Sequence, residues 1–153
     1  MKLLFLLTFF ALCMSCTDKY ENYKKVPEHI TEASALNKTY YNAYDETLKL
    51  WNTSFEELYI PTTNGIAHVI VSGPKNAEPV VLLHGMNASS TMWYPNIEAL
   101  SKNHRIFAID FILEPGKSYL YNDIESVEKV TSWYQEVLFV LELDVAGWRL
   151  ILL

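Results

Sequence analysis

An α/β fold built on a parallel sheet is predicted by three features of this 153-residue sequence. Pro79-Val80-Val81-Leu82-Leu83 is an unbroken apolar run that stops at His84-Gly85, the pattern of a strand buried on both faces. Arg105 to Phe111 is a second run of the same kind. Between them Trp93, Ile97 and Leu100 are spaced as one face of a helix, so strand, helix and strand form a right-handed crossover unit. Parallel sheets present ligands beyond the carboxyl ends of their strands, so the loop from His84 to Thr91 lies where a site forms.

The length suits one domain with a real core. Half of the residues are hydrophobic and 14% are aromatic, which argues against disorder over most of the chain. A formal charge of -6 argues against nucleic acid as a partner, since no basic stripe exists to neutralise phosphates.

Lys2 precedes an almost unbroken apolar stretch, Leu3 to Met14, that ends in Ser15-Cys16. A charged start, an apolar core and a small residue before a cut define residues 1–16 as a secretory signal peptide. The run is short of the roughly 20 apolar residues that span a bilayer. Cys13 and Cys16 have Cys-x-x-Cys spacing, but they close an apolar run where a redox motif would open a helix. The Ser-Cys ending resembles a bacterial lipoprotein signal, with Cys16 as the lipidated residue after cleavage. Cys13 departs from that pattern, which carries an aliphatic residue there. The expected product is exported and anchored to a membrane by lipid on Cys16; plain secretion and an uncleaved anchor are the alternatives. Residues 17–30, charged and tyrosine-bearing with Pro27 near the end, read as a tether.

From Thr31 to Trp51 the positions Ala33, Leu36, Tyr40, Tyr44, Leu48 and Trp51 step by three or four, predicting one long amphipathic helix. Phe55–Thr62 and Ile66–Ser72 flank Thr63-Asn64-Gly65, a strong hairpin signal. His68 shares one side of its strand with Ile66 and Ile70, which makes it a half-buried strand residue with no catalytic part. Pro95 falls in the first turn of the crossover helix, where its missing N–H costs nothing, and His104 suits that helix's C-terminal end. Asn122 to Leu143 predicts a helix capped by Asn122 with Glu125 reciprocating. Its buried face is Ile124, Val127, Val130, Tyr134, Val137, Leu138 and Leu141.

His84-Gly85-Met86-Asn87 after an apolar strand, with Asp110 and Gly116-Lys117-Ser118 at the exit of the next strand, resembles the α/β-hydrolases of esterase and lipase type. The resemblance covers about residues 31–144 and implies the N-terminal half of that fold: a hairpin, two parallel strands with a crossover helix, and flanking helices. It implies that the Met86 N–H is one donor of an oxyanion hole, with His84, Gly85 and Asn87 giving the loop its structure. It leaves Asp110 and Ser118 on the rim of the site, without chemistry. Gly116-Lys117-Ser118 is not the end of a P-loop, because Phe111 stands where that motif needs its first glycine.

In this family a serine in Gly-x-Ser-x-Gly, activated by histidine, attacks an ester carbonyl. That motif occurs nowhere in these 153 residues, and nucleophile, acid and base are all unidentified. Residues 145–153 read as an aberrant apolar tail, of which Trp148–Leu153 is apolar enough to pair against Val80–Leu83. No set of residues has metal-ligand spacing, and no cofactor is expected. The sequence thus predicts a carboxylesterase-like serine hydrolase, truncated before the nucleophile elbow and inactive as this chain, whose partner when completed is a small ester. The alternative is a non-catalytic, surface-anchored binding or remnant protein. If Cys16 carries lipid, labelled palmitate enters the protein in an exporting bacterial host and is absent from Cys16→Ser; equal labelling of the two excludes it.

Overall fold

A computed structural model describes residues 18–143 and the strand at 149–152. The predicted signal peptide and Cys16 lie outside the described residues, as does much of the apolar tail. β1 (Phe55–Thr62) and β2 (Gly65–Ser72) form the antiparallel hairpin, closed at the Thr62–Gly65 pair. A β-carbon on Gly65 would collide with the carbonyl of Tyr119, so this position has no room for a side chain. β3 (Glu78–Leu83) and β4 (His104–Ile109) pair in parallel, joined through a 3-10 turn at Ser90–Trp93 and α3 (Tyr94–Ser101). β4 also pairs antiparallel with β2, and the short β5 (Tyr119–Leu120) pairs with the start of β2. The sheet order is β1-β2-β4-β3-β6, where β6 (Arg149–Leu152) lies parallel to β3.

The unbroken apolar runs follow from helices on both faces of this mixed sheet. Val69, Val81, Phe107 and Ile109 point to one side, against Trp133, Val137 and Leu141 of α4 (Val127–Val140) and the turn that ends it. Ile70, Val80, Leu82, Ile106 and Ala108 point to the other. There they meet Tyr44 and Leu48 of α2 (Ala35–Leu48), Trp51 just beyond it, and Ile97 of α3. Hairpin, parallel pair, crossover helix and flanking helices all stand as the sequence predicts.

Helix boundaries differ from expectation, each for a local reason. The long helix predicted over 31–51 is broken into α1 (Glu28–Thr31) and α2, because the Ser34 hydroxyl accepts the Asn37 N–H at 3.2 Å and starts a new helix. Its apolar stripe outruns the sheet: Leu36 is 80% exposed while Tyr44, Leu48 and Trp51 are buried. The last helix starts at Val127 and not at Asn122, capped by Ser126, which accepts the Lys129 N–H. The Asn122 N–H goes to the Asn64 carbonyl, next to the one from Tyr121, so this stretch is a turn. Val127 is exposed, and Trp133, absent from the predicted face, is the fully buried contact.

The tether reading of residues 17–30 also meets a different arrangement. Tyr20 is buried with its hydroxyl donating to the Leu141 carbonyl at 3.1 Å, and Lys24 bridges Asp18 and Glu56 at 2.6 and 2.8 Å. From residue 18 onward the chain is docked, because an aromatic ring gains more by burial than a solvated linker offers. No helix among the described residues is long and apolar enough to cross a membrane.

β6 covers the outer edge of β3, pairing Val80 with Arg149 through Leu83 with Leu152. Deleting residues 149–153 leaves that apolar strand as a bare edge. The shortened protein is expected to melt lower and to aggregate on heating; a deletion variant that stays monomeric by light scattering and melts no lower removes any structural role for this strand.

Candidate functional site

Two loops meet at the carboxyl ends of β3 and β4: residues 84–90 and residues 110–118. Three hydrogen bonds pin the first to the second. The Phe111 N–H donates to His84 Nε2 at 3.0 Å, the Asn87 N–H to Glu114 Oε2 at 2.9 Å, and the Ser90 N–H to Asp110 Oδ1 at 2.8 Å. Asn87 sits at φ 56°, a left-handed conformation that asparagine tolerates better than most residues. Met86 lies inside this clamp. It is 81% exposed, and no acceptor among the described residues takes its N–H. A backbone N–H fixed on both sides and free of a protein partner is suited to holding a developing oxyanion.

His84 is fully committed. Its Nε2 accepts from Phe111, so the proton sits on Nδ1 and is donated to the Gly85 carbonyl at 2.9 Å. A ring with both nitrogens engaged in this way shapes the loop and has no lone pair for a substrate proton.

Beneath the clamp lies a charge cluster that the sequence reading missed. Asp110 is fully buried where β4 leaves the sheet. Its Oδ2 accepts from the Tyr44 hydroxyl at 2.9 Å, the Lys117 N–H at 2.8 Å and His68 Nδ1 at 2.8 Å. His68 is buried completely, not halfway, and its Nε2 lies 2.9 Å from Glu57 Oε2. Lys117 Nζ reaches that same Glu57 oxygen and Asp45 Oδ1, both at 2.6 Å. With a carboxylate on each side, both ring nitrogens of His68 must donate, so the ring is an imidazolium. Gly116 permits the close packing: a β-carbon there would lie 2.6 Å from Asp110 Cγ. The Ser118 hydroxyl ties the same corner, donating to the Asp110 carbonyl at 2.6 Å and accepting the His68 N–H at 2.9 Å. Asp110 and Ser118, expected on the rim, are beneath it.

Burial alone would strip the proton from His68, but the hydrogen bonds and charges of Asp110 and Glu57 outweigh it and raise its pKa. Burial likewise favours neutral carboxyls, yet the His68 cation holds both Asp110 and Glu57 down at about 2. Tyr44 is pushed well above its ordinary value by burial and then by Asp110.

Each of the four histidines has a structural partner. His29 Nε2 meets the Lys117 carbonyl at 3.1 Å and His104 Nδ1 the Leu100 carbonyl at 3.2 Å; His68 and His84 are held as described. Of the serines near the loop, Ser89 Oγ pairs with Thr91 Oγ1 at 2.8 Å, and Ser90 Oγ is buried with no partner among the described residues. No serine hydroxyl is hydrogen-bonded to an imidazole among the described residues.

No protein-family model matches the sequence. Over 107 residues it is 41% identical to the carboxylesterase YbfK of Bacillus subtilis (strain 168), covering 70% of this chain and 36% of that protein. It is 43% identical over 108 residues to the uncharacterized carboxylesterase nap of the same organism, covering 71% and 36%. The crystal structure of naproxen esterase (carboxylesterase NP) from Bacillus subtilis superposes with a TM-score of 0.74 at 39% identity, over 78% of this chain and 41% of that one. The matched region spans 36% of the length of these curated relatives.

The charge cluster dictates how stability depends on pH. The His68 pKa is raised by folding, so its contribution is complete below its ordinary 6.5 and is lost as pH rises through the folded value. Asp110 and Glu57 are depressed to about 2 from 3.8 and 4.5, so theirs is complete above those ordinary values and is lost as pH falls toward 2. Urea unfolding at a series of pH values should show a plateau between about 4.5 and 6.5 with a decline on each side. His68→Leu should cost about 3–5 kcal/mol on that plateau, because it leaves the buried Asp110 carboxylate without a cation. A variant as stable as the parent would show that the cluster carries no such coupling.

Proposed function

Because the chain belongs to the α/β-hydrolase superfamily, across an N-terminal part of that fold, we propose that it supplies the oxyanion-binding part of a carboxylesterase-like hydrolase acting on small esters. The observation that carries this reading is the Met86 N–H, clamped between the His84 and Asn87 bonds and without an acceptor among the described residues. Attack on an ester carbonyl turns its oxygen into an oxyanion, and a donor already in place stabilises that charge without reorganising. Removal of one such donor costs about 10²–10³ in rate in a complete site.

The 153 residues by themselves do not hydrolyse esters. Nucleophilic catalysis needs a hydroxyl held against a base, and here every imidazole is engaged elsewhere. The proposal extends to location: an exported protein held at a membrane by lipid on Cys16, supported by the apolar run that ends at Ser15-Cys16.

Two measurements on the purified chain test the reading. A fluorophosphonate probe should label no serine stoichiometrically, and p-nitrophenyl butyrate should be hydrolysed no faster than in buffer. Labelling of Ser89 or Ser90, with turnover abolished by its alanine variant, overturns the claim of inactivity. In a ¹⁵N–¹H spectrum titrated with butyrate, the Met86 amide proton should move downfield while that of Asn87, already bonded to Glu114, stays. Shifts elsewhere with none at Met86 overturn the assignment of the donor.

A further inference from the structure

We propose that Asp110 is the positioning residue of the Met86 loop, and that the protonation of His68 sets how firmly Asp110 holds it. The consequence for catalysis rests on Met86 being the oxyanion donor, but the coupling itself does not. Asp110 divides its carboxylate between two tasks. Oδ1 takes only the Ser90 N–H, at the far end of the loop, and Oδ2 takes His68, Tyr44 and the Lys117 N–H. The other two clamp bonds come from Phe111 and Glu114, which follow Asp110 in the chain, so a shift of Asp110 moves all three.

His68 is surrounded by groups from every element packed on it. Glu57 and Tyr59 face it from β1, the Tyr59 ring at 5.1 Å. Tyr44 faces it from α2, its hydroxyl 3.5 Å from Nδ1, and His29 of α1 acts on it at longer range. Asp110 lies at the end of β4, and Lys117, shared between Glu57 and Asp45 of α2, completes the shell. While His68 is charged, two cations stand among three carboxylates. Loss of its proton leaves Lys117 alone among the same three, and one ring nitrogen turns a lone pair toward a carboxylate. The cluster must then open, and Asp110, whose other oxygen carries the loop, is the member whose movement reaches the site.

Hydrogen exchange on the full chain tests this, with ring NMR reporting the titration of His68 and rates corrected for their intrinsic pH dependence. As His68 loses its proton, protection of the hydrogen-bonded Asn87, Ser90 and Phe111 amides should fall at least about tenfold, while central amides of β1 and β2 keep theirs. If the ring stays charged across the accessible range, His68→Gln decides. It should show loop amides at least about tenfold less protected than the parent, with strand amides unchanged. Loop protection that ignores the ring's titration, or that matches the parent in the variant, overturns the proposal. So does a loss shared equally by loop and strands, which is what a merely structural histidine would give. None of these readings depends on butyrate binding, so failure of the donor assignment and failure of the coupling are told apart.

Discussion

The buried carboxylate of Asp110 is the constraint on which the rest of this structure depends. A charge at that depth is strongly unfavourable unless it is paired and hydrogen-bonded. Here it is met by the Tyr44 hydroxyl from a helix, the His68 ring from the hairpin, and the Ser90 and Lys117 amides from two loops. Four segments far apart in sequence must therefore arrive together. Ion pairs of this kind add little net stability compared with apolar packing of the same volume. What they add here is specification: an arrangement that leaves any donor out strands a charge in the interior.

That division of labour runs through the whole domain. The middle of the sheet is apolar on both faces, with Val81, Phe107 and Ile109 under α4 and Val80, Leu82 and Ile106 under α2 and α3. The buried charge cluster sits at the carboxyl end, where β3 runs out into His84 and β4 into Asp110. The loops at that end are short of apolar burial and are held by hydrogen bonds instead. A rigid scaffold with a hydrogen-bonded loop above it is the usual way to present a backbone donor accurately.

How much of this was legible in the sequence depends on the range of the signal. Val80–Leu83, Arg105–Ile109 and Asn64-Gly65 state strand and turn locally, and the structure follows them. Helix faces were legible where the sheet lay beneath them, as at Tyr44 and Leu48, and misleading where it did not, as at Leu36 and Val127. The true caps at Ser34 and Ser126 were as visible as Asn122, but choosing among serines and asparagines needs the turn before the helix, which only the fold reveals. His84 to Asn87 stood out through a family resemblance. The charge cluster did not, because Lys117 and Glu57 are 60 positions apart, and periodicity says nothing about polar partners at that distance. Two faint signs existed: a histidine within an apolar strand, and an aspartate ending another.

β6 runs beside the strand that leads into the His84 loop. Its register aligns Leu152 with Leu83, parallel, so its carboxyl end points the same way as the strand that leads into His84. In an acyl-transfer site the nucleophile and the oxyanion donor must reach the same carbonyl from neighbouring positions, within a few ångströms. Neighbouring parallel strands meet that need without further device, since they lie only about 4.8 Å apart. The clamp around the Met86 N–H uses no serine side chain, and its one histidine serves as a scaffold. The ordering of the loop at residues 84–90 is thus a property of β3, β4 and the cluster between β4 and the hairpin.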